Sequence, residues 1–132
     1  MRRAINELES IGDSCYSLAA SYVKSADGDT LNQFSEKQNA GLLRMMDLCD
    51  NALNRMNLVL GGRREDYSIE VTYRIEKQID ELRGNLKEEN IQSIEKNEYK
   101  YSVGTLYADI IDELEHLGDY VVNVVQSKLA TA

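Results

Sequence analysis

Two short stretches of this chain carry carboxylates at a spacing that can hold a cation. Asn6-Glu7-Leu8-Glu9-Ser10-Ile11-Gly12-Asp13 returns as Asp112-Glu113-Leu114-Glu115-His116-Leu117-Gly118-Asp119, at a constant offset of 106 residues. Each copy contains Glu-x-x-x-Asp: Glu9 with Asp13, and Glu115 with Asp119. Residues four apart on a helix stand one above the other on the same face, so each copy sets two carboxylates within reach of one ion. Clustered Asp and Glu, with His116 as the single nitrogen donor, suit hard, oxygen-seeking ions such as magnesium, calcium, manganese or iron better than zinc. A third Glu-x-x-x-Asp, Glu76 to Asp80, shows how readily the spacing arises in acidic helices, where most such pairs are solvated faces.

The rows around the two copies set them apart. Ile5, Glu9, Gly12, Tyr16, Ala19 and Val23 correspond one for one to Ile111, Glu115, Gly118, Val122, Val125 and Leu129. Both glutamates interrupt an apolar row, and a carboxylate aimed at a bundle interior is costly unless it is protonated, paired or metal-bound. A glycine three residues on in both copies leaves room for a neighbouring backbone, an ion or water. If the first and last helices are neighbours, the motifs either face each other or form separate acidic patches, and spacing alone does not choose. Glu113 and His116 have the i, i+3 spacing of a di-iron helix, but no other helix repeats it. His116 alone reads as a surface or capping residue, and Tyr99, Tyr101 and Tyr107 as packing groups at one end of the fold.

The elements that position these side chains read as helices. The chain of 132 residues contains no proline and eight glycines, which permits long uninterrupted helices and suits a single domain over 1–132. Apolar residues at alternating three and four spacings mark a first helix over about 2–25, with Ile5, Leu8, Gly12, Cys15, Ala19 and Tyr22 inward. A second opens at Thr30, with Gln33 completing a capping box, and runs to about Leu60 through Leu42, Met46, Cys49, Leu53, Met56 and Leu60. Gly61-Gly62 is expected to end it in a left-handed conformation. A third runs from about Asp66 into the low nineties, with Ile69, Thr72, Ile75, Ile79, Leu82 and Leu86 inward. The last connection falls within Asn90 to Lys100, and the fourth helix carries Val103, Tyr107, Ile110, Leu114, Leu117, Val121 and Val124. The expected fold is all-α, an up-down four-helix bundle.

The formal charge of −8 argues against nucleic acid and anionic lipid as partners. No run of apolar residues is long enough to span a bilayer. Cys15 and Cys49 lack the spacing of a zinc site or a redox pair and read as reduced core residues of a cytoplasmic protein. The first helix begins abruptly at Met1 with no capping residue, as if cut from something longer.

The residues Asn90-Ile91-Gln92-Ser93-Ile94, followed by Gly104 through Asn123, resemble the end of a PhoU-type repeat, whose helix typically reads Leu-Glu-Arg-Ile-Gly-Asp. Leu8-Glu9-Ser10-Ile11-Gly12-Asp13 resembles the same helix of a preceding repeat. One closing helix followed by a full repeat is similar to the cytoplasmic C-terminal domain of bacterial sodium-dependent phosphate cotransporters. The resemblance implies a PhoU-like bundle and a metal role for Glu9, Asp13, Glu115 and Asp119, with Asp112 as a neighbour, since the motifs bind multinuclear clusters in some members. The family's usual arginine is Ser10 in one copy and His116 in the other.

The leading expectation is a non-enzymatic regulatory domain at the plasma membrane, with no catalytic residues, which adjusts phosphate uptake by contact with a membrane-embedded transporter portion of the same or a partner chain. It binds a divalent or multinuclear metal or no ion at all, inserts nothing into the membrane itself, and allows a homodimer. A carboxylate-bridged metalloenzyme bundle is the alternative from another class, and needs a second histidine and an open pocket. A plain helical interaction module, with the acids on a solvated surface, is the third.

Overall fold

The computed structural model describes residues 6, 9–14, 16–17, 34–62 and 67–130. The fold is all-α, a helical bundle, and the described residues contain no strand. An N-terminal helical segment, α1, is described over 9–14 and at 6, 16 and 17. Three long helices follow: α2 (Glu36–Gly61), α3 (Ile69–Glu95) and α4 (Tyr101–Ala130). Cys15, Thr30, Gln33 and Asp66, named above in the core and at expected helix starts, lie outside the described residues.

The capping box of α2 is made by Ser35 and Gln38. The Ser35 hydroxyl accepts from the Gln38 N–H at 3.1 Å, and the Ser35 N–H donates to Gln38 Oε1 at 2.9 Å. Two of the orphan donors at the helix start are satisfied reciprocally. Ser68 caps α3, accepting from the Glu70 N–H at 3.1 Å. The end of α3 lies at Glu95, inside the expected interval, and the chain turns through Lys96 to Lys100. Asn97, at φ 57°, takes the left-handed conformation that asparagine tolerates. The Asn97 and Glu98 N–H groups return to the carbonyls of Ile94 and Ser93, both at 3.0 Å, which satisfies the last turn and reverses the chain. Gly62 corrects the expectation for α2: it is extended, at φ −109° and ψ −177°, and no glycine among the described residues has positive φ. Its missing side chain leaves room for the Tyr67 ring, which a Cβ would strike.

Residue pairs across the bundle give its topology. Ile79 meets Gly118, Arg83 meets Asp112 and Asn90 meets Gly104, so α3 and α4 run antiparallel. Tyr107 lies against Gly41, and Cys49 Sγ donates to the Leu114 carbonyl at 3.2 Å, so α2 and α4 run parallel, as up-down-up connectivity requires. The α4 stripe from Val103 to Val124 is buried as its periodicity predicts, and α4 packs against both α2 and α3. On α2 the register differs at two positions. Met45 and Val59 are each 0% exposed, whereas Met46 and Leu60 are 45% and 38% exposed. Ile11 of α1 joins this core, so α1 is packed by that face.

Candidate functional site

The antiparallel seam of α3 and α4 concentrates the acids. Gly118 of α4 faces Ile79 of α3, where an added Cβ would come within 3.0 Å of Ile79 Cδ1. That close approach carries the next residue on each helix, Asp119 and Asp80, to the same seam. One turn away in either direction stand Glu115 on α4 and Glu76 on α3. Carboxylate oxygens of Asp80, Glu115 and Asp119 all lie within 4.8 Å of one another.

The electrostatics are those of like charges held together. Burial pushes the Asp119 carboxyl up to about 7, helped by the charge of Glu115, by a hydrogen bond with it, and by Asp80 and Glu76. Partial burial also raises Asp80, as does Glu115, against a lowering pull from Arg83. Glu76 is raised by burial and by the charges of Asp80 and Glu115. Anions packed at this density attract a proton or a cation.

One turn along the seam the sign changes. Arg83 Nε donates to Asp112 Oδ1 at 2.9 Å, and Lys87 Nζ donates to both Asp112 oxygens at 3.0 Å. Burial raises the Asp112 carboxyl, but its hydrogen bonds from Lys87 and Arg83 outweigh this and leave it below the usual carboxylate range. Arg83 Nε also stands 3.9 Å from Glu115 Oε2. His116, whose side chain is 53% exposed, brings Nε2 to 3.9 Å from the same oxygen and Nδ1 to 4.0 Å from Glu113.

The structure thus distributes the five candidate ligands unequally. Glu115 and Asp119 belong to the three-carboxylate group. Asp112 lies beside it, engaged by two cations. Glu9 and Asp13 are exposed on α1 and are not among the three. The two copies of the repeat also differ in burial. The Glu115 side chain is 16% exposed and Gly118 and Val122 are buried, whereas Glu9, Gly12 and Tyr16 are exposed. The partners of Glu115 and Asp119 are Asp80 and, one turn on, Glu76: the Glu-x-x-x-Asp of α3, which spacing alone ranks as a surface pair. What could have singled it out is Ile79, an inward residue flanked by acids at 76 and 80 in the same order as Leu117 and Gly118 between 115 and 119.

The donor set fits a hard cation. All donors are carboxylate oxygens, and ligand oxygens on a shared ion at 2.0–2.6 Å sit up to about 4–5 Å apart. Asp80, Glu115 and Asp119 would hold such an ion, with Glu76 adding negative charge from the next turn.

Comparison with known proteins gives one family. No curated protein and no solved structure matches the chain. The PhoU domain model matches residues 42–127, which takes in most of α2, all of α3 and the carboxylate-bearing length of α4. With the larger part of its length matched by that model, the chain belongs to the PhoU domain family.

Proposed function

We propose that this is a phosphate-related regulatory domain which binds a hard divalent or trivalent cation between α3 and α4 and acts by docking on a membrane-embedded phosphate transporter, in the same chain or a partner. The observation that carries the cation reading is the convergence of Asp80, Glu115 and Asp119 on one point of the seam. Family membership supports the phosphate-related regulatory role. No helix among the described residues is long and apolar enough to cross a membrane.

A bound cation supplies neutralisation of carboxylates that otherwise repel across the seam. The two helices are then held at a spacing that a proton-poor, ion-free seam opposes, and that difference is a means of changing the docking surface. The reading is non-enzymatic. His116 is the single histidine, and it lies within 4.0 Å of Glu113 and Glu115 at the edge of the group, with no second Glu-x-x-His helix to complement it.

Elemental analysis of the purified protein beside Asp119→Asn tests the cation reading. Iron, manganese, magnesium or calcium retained by the wild type and lost by the variant supports it. Equal metal content in both overturns it. For the transporter role, phosphate uptake measured across external phosphate levels in cells carrying Asp80→Asn is expected to lose its regulation, and uptake identical to wild type sinks that part.

A further inference from the structure

We propose that Arg83 is the built-in counter-cation of the carboxylate site and sets how tightly that site holds a metal; this rests on the cation reading above. Arg83 lies on the same helix as Asp80, three residues on, and so on the same face. Its Nε is fixed by Asp112 Oδ1 at 2.9 Å and stands 3.9 Å from Glu115 Oε2. Asp112 is shared, since Lys87 Nζ holds both of its oxygens at 3.0 Å. The guanidinium therefore stands between two acids of α4, bonded to one and drawn to the other.

A guanidinium stays charged at every working pH. One permanent positive charge within a few ångströms of Glu115 lowers the negative potential felt by a metal bound to Glu115, Asp80 and Asp119. Asp112 limits that effect by holding Arg83 on its own side of the seam. The arrangement predicts opposite signs for two neighbouring substitutions. Removing Arg83 leaves the carboxylates unopposed. Removing the charge of Asp112 frees Arg83 to turn to Glu115 and leaves Lys87 without its acid.

Titration calorimetry of the full chain with manganese(II) chloride, at pH 8 and low salt, reads both effects. Arg83→Gln is expected to tighten binding about three- to ten-fold, a gain that shrinks at high salt because the interaction is screened. Arg83→Lys stays within about two-fold of wild type, because charge opposes the metal. Asp112→Asn weakens binding about three-fold. Arg83 is partly exposed at the helix surface, so its variants keep the fold, which a melt without metal verifies. Asp80→Asn separates the two claims. If it abolishes binding while Arg83→Gln equals or falls below wild type, or Arg83→Lys behaves like Arg83→Gln, the role of Arg83 is overturned and the cation site stands. If neither wild type nor Arg83→Gln binds manganese, both are overturned.

Discussion

Asp80 on α3 and Asp119 on α4 present carboxylate oxygens within 4.8 Å of each other, brought there by the contact of their preceding residues, Ile79 and Gly118. Two anions at that separation, with Glu115 beside them, resist full ionisation without a cation. The fold therefore gathers like charges at one seam, where a proton or a cation relieves their repulsion.

That repulsion makes stability fall as pH rises through neutrality. Burial, with the charge of Glu115, pushes the Asp119 carboxyl up to about 7 in the fold, from 3.8 for the free side chain. Between those values the folded state binds more protons than the unfolded state, so the contribution is present in full below pH 3.8 and is lost as pH rises through about 7. In chelator, the melting temperature is expected to be higher near pH 5.5 than near pH 8. Asp119→Asn flattens this slope and stabilises the protein at pH 8 by ~1–2 kcal/mol, after allowance for solvent screening. A wild-type melting temperature that does not change between the two pH values contradicts the account.

Asp112 gives the opposite sign. Its carboxyl lies below the usual range in the fold, so its pairing with Lys87 and Arg83 stabilises above 3.8 and is lost as pH falls through the folded value. Asp112→Asn is expected to cost ~0.5–1 kcal/mol at neutral pH, because the groups are partly exposed and screened. In strong acid the variant and wild type should unfold at the same denaturant concentration.

The glycines separate packing from helix propensity. Gly84, at an exposed position of α3, has nothing within 4 Å of an added Cβ, so Gly84→Ala is expected to stabilise by about 1 kcal/mol. Gly118→Leu drives a side chain into Ile79, with an overpacking cost of ~1–3 kcal/mol. It also moves Asp80 away from Asp119. Chemical denaturation of the two variants, with manganese affinity measured in parallel, checks this: only Gly118→Leu should lose affinity.

Glu9 and Asp13 repeat the spacing of the α4 acids but are exposed on α1 outside the three-carboxylate group. Glu9→Gln is expected to leave manganese affinity within about two-fold of wild type, as befits an exposed charge outside that group. A ten-fold loss would move the metal site to α1.

How much of this is legible in the sequence depends on which contacts set it. The α4 stripe from Val103 to Val124 is read directly because every third or fourth residue is apolar and both α2 and α3 pack on α4. On α2 adjacent apolar residues blur the register, so Met45 and Met46 compete, and only the assembled core selects Met45. Glu115 and Asp119 stand out through an internal repeat. Their partners do not, because Glu76 and Asp80 meet them across helices and nothing in the spacing of α3 reports that meeting. The repeat points to Glu9 and Asp13 instead, a likeness of sequence with a different degree of burial. Arg83 is equally silent until Asp112 and Glu115 are seen beside it.

The most direct test of the central claim is the melting temperature at pH 8 with and without manganese(II), for wild type and Asp80→Asn. A ligand bound by the folded state alone raises stability with its concentration, by about 2.7 kcal/mol at one hundred times its dissociation constant. The expected result is a rise in wild type that grows with manganese and disappears in Asp80→Asn. An equal rise in both, or none in either, would contradict a cation site built from the facing acids of α3 and α4.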